Sequence, residues 1–176
     1  MGERLRVCAF AGVLLCGVLL RAEAAQEQRE RSDLPANMEV SRHMSRRLQK
    51  LYDTSPSFRA QCARLASAKN LRVIVRFDGT MPTRFRAFTI IQRRGRDLIA
   101  DVHLPYGRTL FELAAHEFEH VLEQIEGLNL RKLSRMRETG VREIDREQYE
   151  TDRAQLAGRV VAQEAAASDD RAPSAD

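Results

Sequence analysis

The chain has 176 residues, a formal net charge of +4 and a charged-residue content of 31%. Arginine and glutamate are mixed along the sequence, and no basic stripe carries interleaved aromatic residues, so the composition argues against nucleic-acid binding. Of the three cysteines, only Cys62 lies beyond residue 24. A mature domain that starts there therefore has neither an internal disulfide nor a cysteine-based metal cluster.

Residues 1–24 have the pattern of a secretory signal peptide. A positively charged start precedes an uncharged apolar run over 7–20, and small residues follow at Ala22 and Ala24. The apolar run is shorter than the ~20 residues that a membrane-spanning helix needs. We therefore expect cleavage, no stable membrane span in the mature protein, and export to a bacterial periplasm or medium.

The next segment is predicted to be a flexible leader over 25–32, after which two helices begin the folded domain. Apolar residues recur at helical spacing from Val40 to Leu51, which predicts a helix over 36–52. Ser55-Pro56 starts a second helix, whose apolar stripe includes Cys62, and we interpret that cysteine as a buried thiol.

The pattern then changes to strands, and later returns to helices. Three strands are predicted over 71–77, 85–92 and 98–104, the last two joined as a hairpin. The domain, 33–164, is predicted to be α+β, with two leading helices and a small three-stranded twisted sheet. The remaining segments are a helix over 109–126, an irregular stretch over 128–143, a helix over 145–163 and a disordered tail over 165–176.

The helix over 109–126 carries the motif His116-Glu117-Phe118-Glu119-His120. At about 100° per residue the two imidazoles lie about 40° apart on one face, a spacing that lets both reach one zinc ion. Both histidines lie away from the apolar stripe of the helix. They are therefore not explained as ordinary core residues, which is the common interpretation of a histidine on an apolar face. That stripe consists of Phe111, Ala114, Phe118, Val121, Leu122 and Ile125.

A zinc site needs a third protein ligand and an open position for water. Glu123 lies on the histidine face but about 4.5 Å further along the helix than His120, so it suits a supporting position or plain solvation. Glu150 shares a stripe with small residues on the final helix, where a lone carboxylate is costly unless it is paired or binds metal. The alternatives are an ion pair of Glu150 with Arg146 or Arg153, and Asp152 as a weaker ligand candidate.

These residues resemble those of the gluzincins, and of their minimal members, the minigluzincins, with Tyr149-Glu150-Thr151-Asp152 in the place of the glutamate-helix motif. The chain is also similar to short bacterial proteins that share the run His-Glu-Phe-Glu-His-Val-Leu-Glu-Gln-Ile-Glu-Gly. The resemblance implies a zincin-like fold for the domain. It also implies Zn²⁺ held by His116, His120 and Glu150, with Glu117 as general base for hydrolysis of a peptide or protein substrate. Candidates for an additional oxyanion donor, which the sequence does not separate, are Tyr106, His103 and Tyr149.

Substrate binding is predicted at a sheet edge, where an extended peptide adds beside strand 98–104 or a neighbouring strand. Two other functions stay open: a non-catalytic zinc-binding protein, and an interaction protein of the bacterial cell envelope whose helix face is merely acidic. Glu117 favours the enzyme, because a metal site alone has no need of that glutamate.

Overall fold

The computed structural model describes residues 33–79 and 86–170, and those from Leu34 onward belong to one compact unit. The predicted signal peptide, the leader over 25–32 and the end of the chain after residue 170 lie outside the described residues. Within the described ranges, no helix has both the length and the apolar character needed to cross a membrane.

The fold is α+β, as predicted, and the described residues form five helices and six strands. In chain order the elements are β1 (Met38–Val40), α1 (Arg42–Thr54), α2 (Pro56–Ser67), β2 (Leu71–Phe77), β3 (Phe88–Arg94), β4 (Asp97–Leu104), α3 (Leu110–Ile125), α4 (Leu130–Leu133), β5 (Val141–Asp145), β6 (Gln148–Thr151) and α5 (Asp152–Asp169).

The main sheet has four strands in the order β1-β2-β4-β3, so the prediction of three strands was wrong. Strands β1, β2 and β4 are parallel, and β3 runs antiparallel to β4 at the edge. The additional strand lies where the sequence predicted the first turn of a helix: Met38–Val40 pairs with β2, and α1 starts only at Arg42. Strand β4 is paired on both edges and leaves none for a peptide, whereas β3 pairs only with β4 among the residues that the structure describes.

The hydrophobic core lies between the inner face of this sheet and helices α1, α2 and α3. Phe58 of α2 stacks on Phe118 of α3 with ring centroids 5.4 Å apart. Cys62 is buried beside them, as predicted, and burial raises the pKa of its thiol to about 12. The sheet contributes alternate residues, since successive side chains of a strand point to opposite faces; those facing the core are Leu71, Val73, Val75, Leu98, Ala100, Val102 and Leu104.

The segment before the last helix differs most from the prediction. Instead of an irregular stretch and a helix from residue 145, the chain forms α4 and the antiparallel hairpin β5–β6. The hairpin turns at Glu147, whose φ of 58° lies in the left-handed region. Helix α5 begins at Asp152 and continues to Asp169, beyond the predicted domain end, because Ala165 is buried against the core.

Helix α5 packs directly on α3, and this contact positions the candidate site. A Cβ at Gly158 would lie 2.8 Å from the main-chain oxygen of Glu112 and 3.4 Å from the His116 Cβ, so only glycine permits the observed approach. Near the other end of α5, the Glu164 carboxylate accepts hydrogen bonds from the Ser55 and Ser57 hydroxyls and from the Ser57 amide at the start of α2. The α5 helix is therefore held to two other helices.

Candidate metal centre

Three side chains converge where α3, β6 and α5 meet. The Nε2 atoms of His116 and His120 lie 3.2 Å apart. The Glu150 carboxylate places Oε2 at 3.5 Å from His116 Nε2 and Oε1 at 3.9 Å from His120 Nε2. In a tetrahedral zinc site with bonds of 2.0–2.1 Å, neighbouring ligand atoms are about 3.3 Å apart. The cluster therefore has the donor types and approximate spacing to hold one metal ion.

Glu150 reaches the histidines by a route that the sequence did not predict. It lies in strand β6, pairs across the hairpin with Arg142, and precedes α5, so the argument that placed it on a helical stripe was wrong. The main-chain N–H of Thr151 donates to Glu150 Oε1 at 2.8 Å, which leaves Oε2 directed at His116. The residue was nonetheless a sound candidate, because β6 ends beside the motif helix.

The alternative partners of Glu150 are engaged elsewhere. Arg153 donates to the carboxylates of Glu119 and Glu126, and none of the ion pairs among the described residues joins Arg146 to Glu150. Asp152, the weaker ligand candidate, pairs with Arg142 at 2.6 Å and its side chain is 65% exposed. The structure thus brings Glu150, and not Asp152, to the two histidines.

Burial and the surrounding carboxylates give the two imidazoles different pKa values. The pKa of His116 lies below its ordinary value, chiefly because burial disfavours the charged form, and the opposing effect of Glu150 does not overcome it. Burial also acts to lower the pKa of His120, but the hydrogen bond that His120 donates to Glu123 and the charges of the nearby carboxylates outweigh it and leave the pKa raised. A neutral His116 has a free nitrogen lone pair, which metal binding requires.

Glu117 is buried on the side of α3 that faces β3. The Thr89 hydroxyl donates to Glu117 Oε2 at 2.7 Å. Burial raises the pKa of Glu117 to about 7, against the opposing influences of Thr89 and His120. A carboxyl that titrates near neutrality suits a general base. Thr89 was not singled out from the sequence, although strand alternation with the core-packed Ile91 puts it on the inner face.

Glu123 lies where the sequence put a supporting residue. It is 1% exposed, and its Oε2 is 2.9 Å from His120 Nδ1. Its other oxygen, Oε1, accepts a hydrogen bond of 2.6 Å from the Thr151 hydroxyl. Thr151 was missed as a site residue; the available signal was its position as the capping residue of α5, followed by an acidic first turn.

The three oxyanion candidates lie in different surroundings. His103 projects from the outer face of the sheet, where it contacts Asp78 and stacks on Phe88, whereas Thr89, the partner of Glu117, lies on the inner face. The Tyr106 ring packs on Phe77 at a centroid distance of 3.8 Å. These contacts do not involve the metal ligands, and an oxyanion role for either residue stays a prediction. Tyr149 precedes Glu150 in β6, and strand alternation directs it to the opposite face of the hairpin from the metal ligand.

No family model, curated protein or solved structure matches the chain. The interpretation of the site therefore depends on its own chemistry: the motif spacing on α3, the converging carboxylate of Glu150 and the buried Glu117 beside Thr89.

Proposed function

We propose that the protein is a zinc-dependent metallopeptidase of the gluzincin type, in which His116, His120 and Glu150 hold the ion. The observation that carries this proposal is the convergence of three ligand atoms within 4.8 Å of one another. Two imidazoles and one carboxylate form a ligand set of catalytic zinc sites, which keep a further position open for water. Magnesium and calcium prefer all-oxygen sites, so the two imidazoles argue against them.

Glu117 supports hydrolysis over plain metal storage. It is a buried carboxyl that the metal ligands do not need, and its pKa of about 7 lets it accept a proton near neutral pH. A bound zinc ion would acidify the attacking water and polarise the scissile carbonyl. In the proposed reaction Glu117 takes the proton from that water and delivers it to the leaving amine, while Thr89 holds the carboxylate in place.

The proposed substrate is an extended peptide that pairs with the free edge of β3. This strand carries Thr89 beside the general base, and its other edge is already paired with β4. Main-chain pairing supplies affinity without requiring a particular side-chain sequence. Proline placed at β3 residues whose amides face away from β4 should abolish cleavage while zinc stays bound. Unchanged cleavage by all of these variants would rule out strand pairing.

The test of the enzyme is a comparison of the zinc-loaded wild type with Glu117→Gln on a broad peptide library. We expect the wild type to cleave, and the variant to retain zinc without cleaving. Glu112→Gln is the matched control, because it makes the same chemical change on the same helix outside the ligand set. Zinc binding without cleavage by any form would favour the alternative, a non-catalytic zinc-binding protein of the cell envelope.

The site also fits the two-histidine, one-carboxylate set of non-haem iron enzymes. Metal analysis of protein purified under anaerobic conditions separates the two, since iron at one equivalent in place of zinc would contradict the peptidase. Export remains a prediction from residues 1–24. N-terminal sequencing of the protein recovered from a bacterial periplasm or medium tests it, with a mature end near residue 25 expected.

A further inference from the structure

We propose that Thr151 is a positioning residue for two of the three metal ligands at once. The inference builds on the proposed metal site and adds a residue that the motif does not contain. Thr151 is the last residue of β6 and the capping residue of α5, and it is 2% exposed. Its main chain and its side chain contact different parts of the site.

The first contact is direct. The main-chain N–H of Thr151 donates to Glu150 Oε1 at 2.8 Å, and this holds the carboxylate with Oε2 turned toward His116 Nε2 at 3.5 Å. Any shift in the start of α5 would therefore move the carboxylate ligand. The Thr151 hydroxyl helps to fix that start, because it accepts a hydrogen bond of 3.0 Å from the Ala154 amide.

The second contact acts through Glu123. The same hydroxyl donates to Glu123 Oε1 at 2.6 Å, and Glu123 Oε2 lies 2.9 Å from His120 Nδ1. A carboxylate oxygen at this distance accepts from an imidazole N–H, so this contact favours the tautomer of His120 with its proton on Nδ1. That tautomer leaves the lone pair of Nε2 facing His116 Nε2, 3.2 Å away. Thr151 thus fixes Glu123, and Glu123 fixes both the tautomer and the ring orientation of His120.

Burial explains why these contacts matter. Glu123 is 1% exposed, and burying a carboxylate is unfavourable unless hydrogen bonds compensate for the lost water. The hydrogen bonds that reach its two oxygens come from Thr151 and His120. Loss of the hydroxyl would leave one buried oxygen without its donor, and the carboxylate would then have reason to reorient. Outer hydrogen-bond partners of metal-bound histidines typically account for about 10–100-fold in metal affinity.

The experiment compares Thr151→Val, which removes the hydroxyl but keeps the branched shape, with Thr151→Ser, which keeps the hydroxyl. Zinc affinity is measured by competition with a chromophoric chelator, at pH and temperature where each metal-free variant is folded. We expect the valine variant to lose about 10–100-fold in affinity, and the serine variant to stay close to wild type. The visible absorption spectrum of the cobalt-loaded Thr151→Val variant should differ from that of the wild type, whereas the spectrum of Thr151→Ser should not.

A purely structural role has a different signature. Loss of a helix cap lowers folding stability and need not alter the metal ligands. The matched control is Asn129→Ala. The Asn129 side chain caps α4 by accepting a hydrogen bond from the Lys132 amide, and the substitution removes this cap. If Thr151→Val resembles this control, with lower stability and unchanged zinc affinity and cobalt spectrum, the positioning role is refuted.

Glu123→Gln provides a second route, should the valine variant fail to fold. We expect it to weaken zinc binding on its own. Where Thr151→Val folds, a double-mutant cycle of the two changes should be clearly non-additive, because both changes break one chain of contacts. Additive effects, or a Glu123→Gln variant that binds zinc as tightly as wild type, would overturn the proposal. Failure of the wild type itself to bind zinc would instead refute the proposed metal site.

Discussion

Glu117→Gln should stabilise the metal-free protein at neutral and alkaline pH. Burial raises the pKa of Glu117 from an ordinary 4.5 to about 7 in the folded state. The native state then holds the proton more tightly than the unfolded chain, so the free energy of unfolding falls as pH rises from 4.5 through about 7. Glutamine mimics the protonated carboxyl at every pH, and its side-chain oxygen still accepts from Thr89.

The size of the effect follows from the shift of about 2.5 pKa units between those two values, 7 minus 4.5. At about 1.4 kcal/mol per pKa unit, the free energy of unfolding of the variant should exceed that of the wild type by at most about 3 kcal/mol above pH 8. In mild acid the two free energies of unfolding should be nearly equal. Urea denaturation in the presence of a chelator, at several pH values, measures the difference. A constant difference across this pH range would refute the burial argument.

Three further predictions concern packing, ligand choice and a remote hydrogen bond. Gly158→Ala should lower both folding stability and zinc affinity, because its Cβ would lie 2.8 Å from the main-chain oxygen of Glu112. Alanine in place of glycine inside a helix ordinarily raises stability by about 0.5–1 kcal/mol. A denaturation experiment that shows this increase would contradict the close approach of the two helices. Glu150→Ala should remove zinc binding in calorimetric titration while Asp152→Ala, the exposed neighbour, leaves it intact, and equal losses would contradict the ligand assignment. Burial acts to raise the pKa of Glu164, but hydrogen bonds from the start of α2 hold it below 4.5. Glu164→Gln should therefore destabilise the protein at neutral pH, with a deficit that shrinks in acid; a deficit independent of pH would refute this.

The elements with strong local patterns could be predicted from the sequence. The run of β-branched residues over Leu71–Phe77 forms β2 with the predicted bounds, and the amphipathic pattern predicted α3 to within a residue at each end. The motif spacing places His116 and His120 on one face of α3. The apolar stripe of the helix shows that this face points away from the core.

Elements that depend on distant partners could not be predicted in the same way. The three residues of β1 read as a continuation of the helical spacing of α1, and only pairing with β2 makes them a strand. Strand β5 is mostly exposed and rich in charged residues, so it lacks the alternation that marks a half-buried strand, and within the described part of the chain β6 pairs with it alone. Its formation moved Glu150 off the predicted helix.

The hydroxyl groups that support the site, those of Thr89 and Thr151, could not be predicted from local sequence either. Thr89 contacts Glu117 and Thr151 contacts Glu123 across 28 residues of sequence in each case. A threonine in a strand or at a helix cap is ordinary on local grounds, and its role appears only once the fold brings a buried carboxylate to it. The two glutamates could be read from the motif helix; their hydrogen-bond donors required the tertiary structure.

The most direct test of the metal centre is X-ray absorption at the zinc edge on purified protein loaded with one equivalent of zinc. We expect tight binding of one zinc ion per chain, with two imidazole nitrogens at about 2.0–2.1 Å from the ion and oxygen atoms in the remaining positions. Absence of stoichiometric zinc, or a spectrum with fewer than two imidazoles, would contradict the assignment of His116, His120 and Glu150.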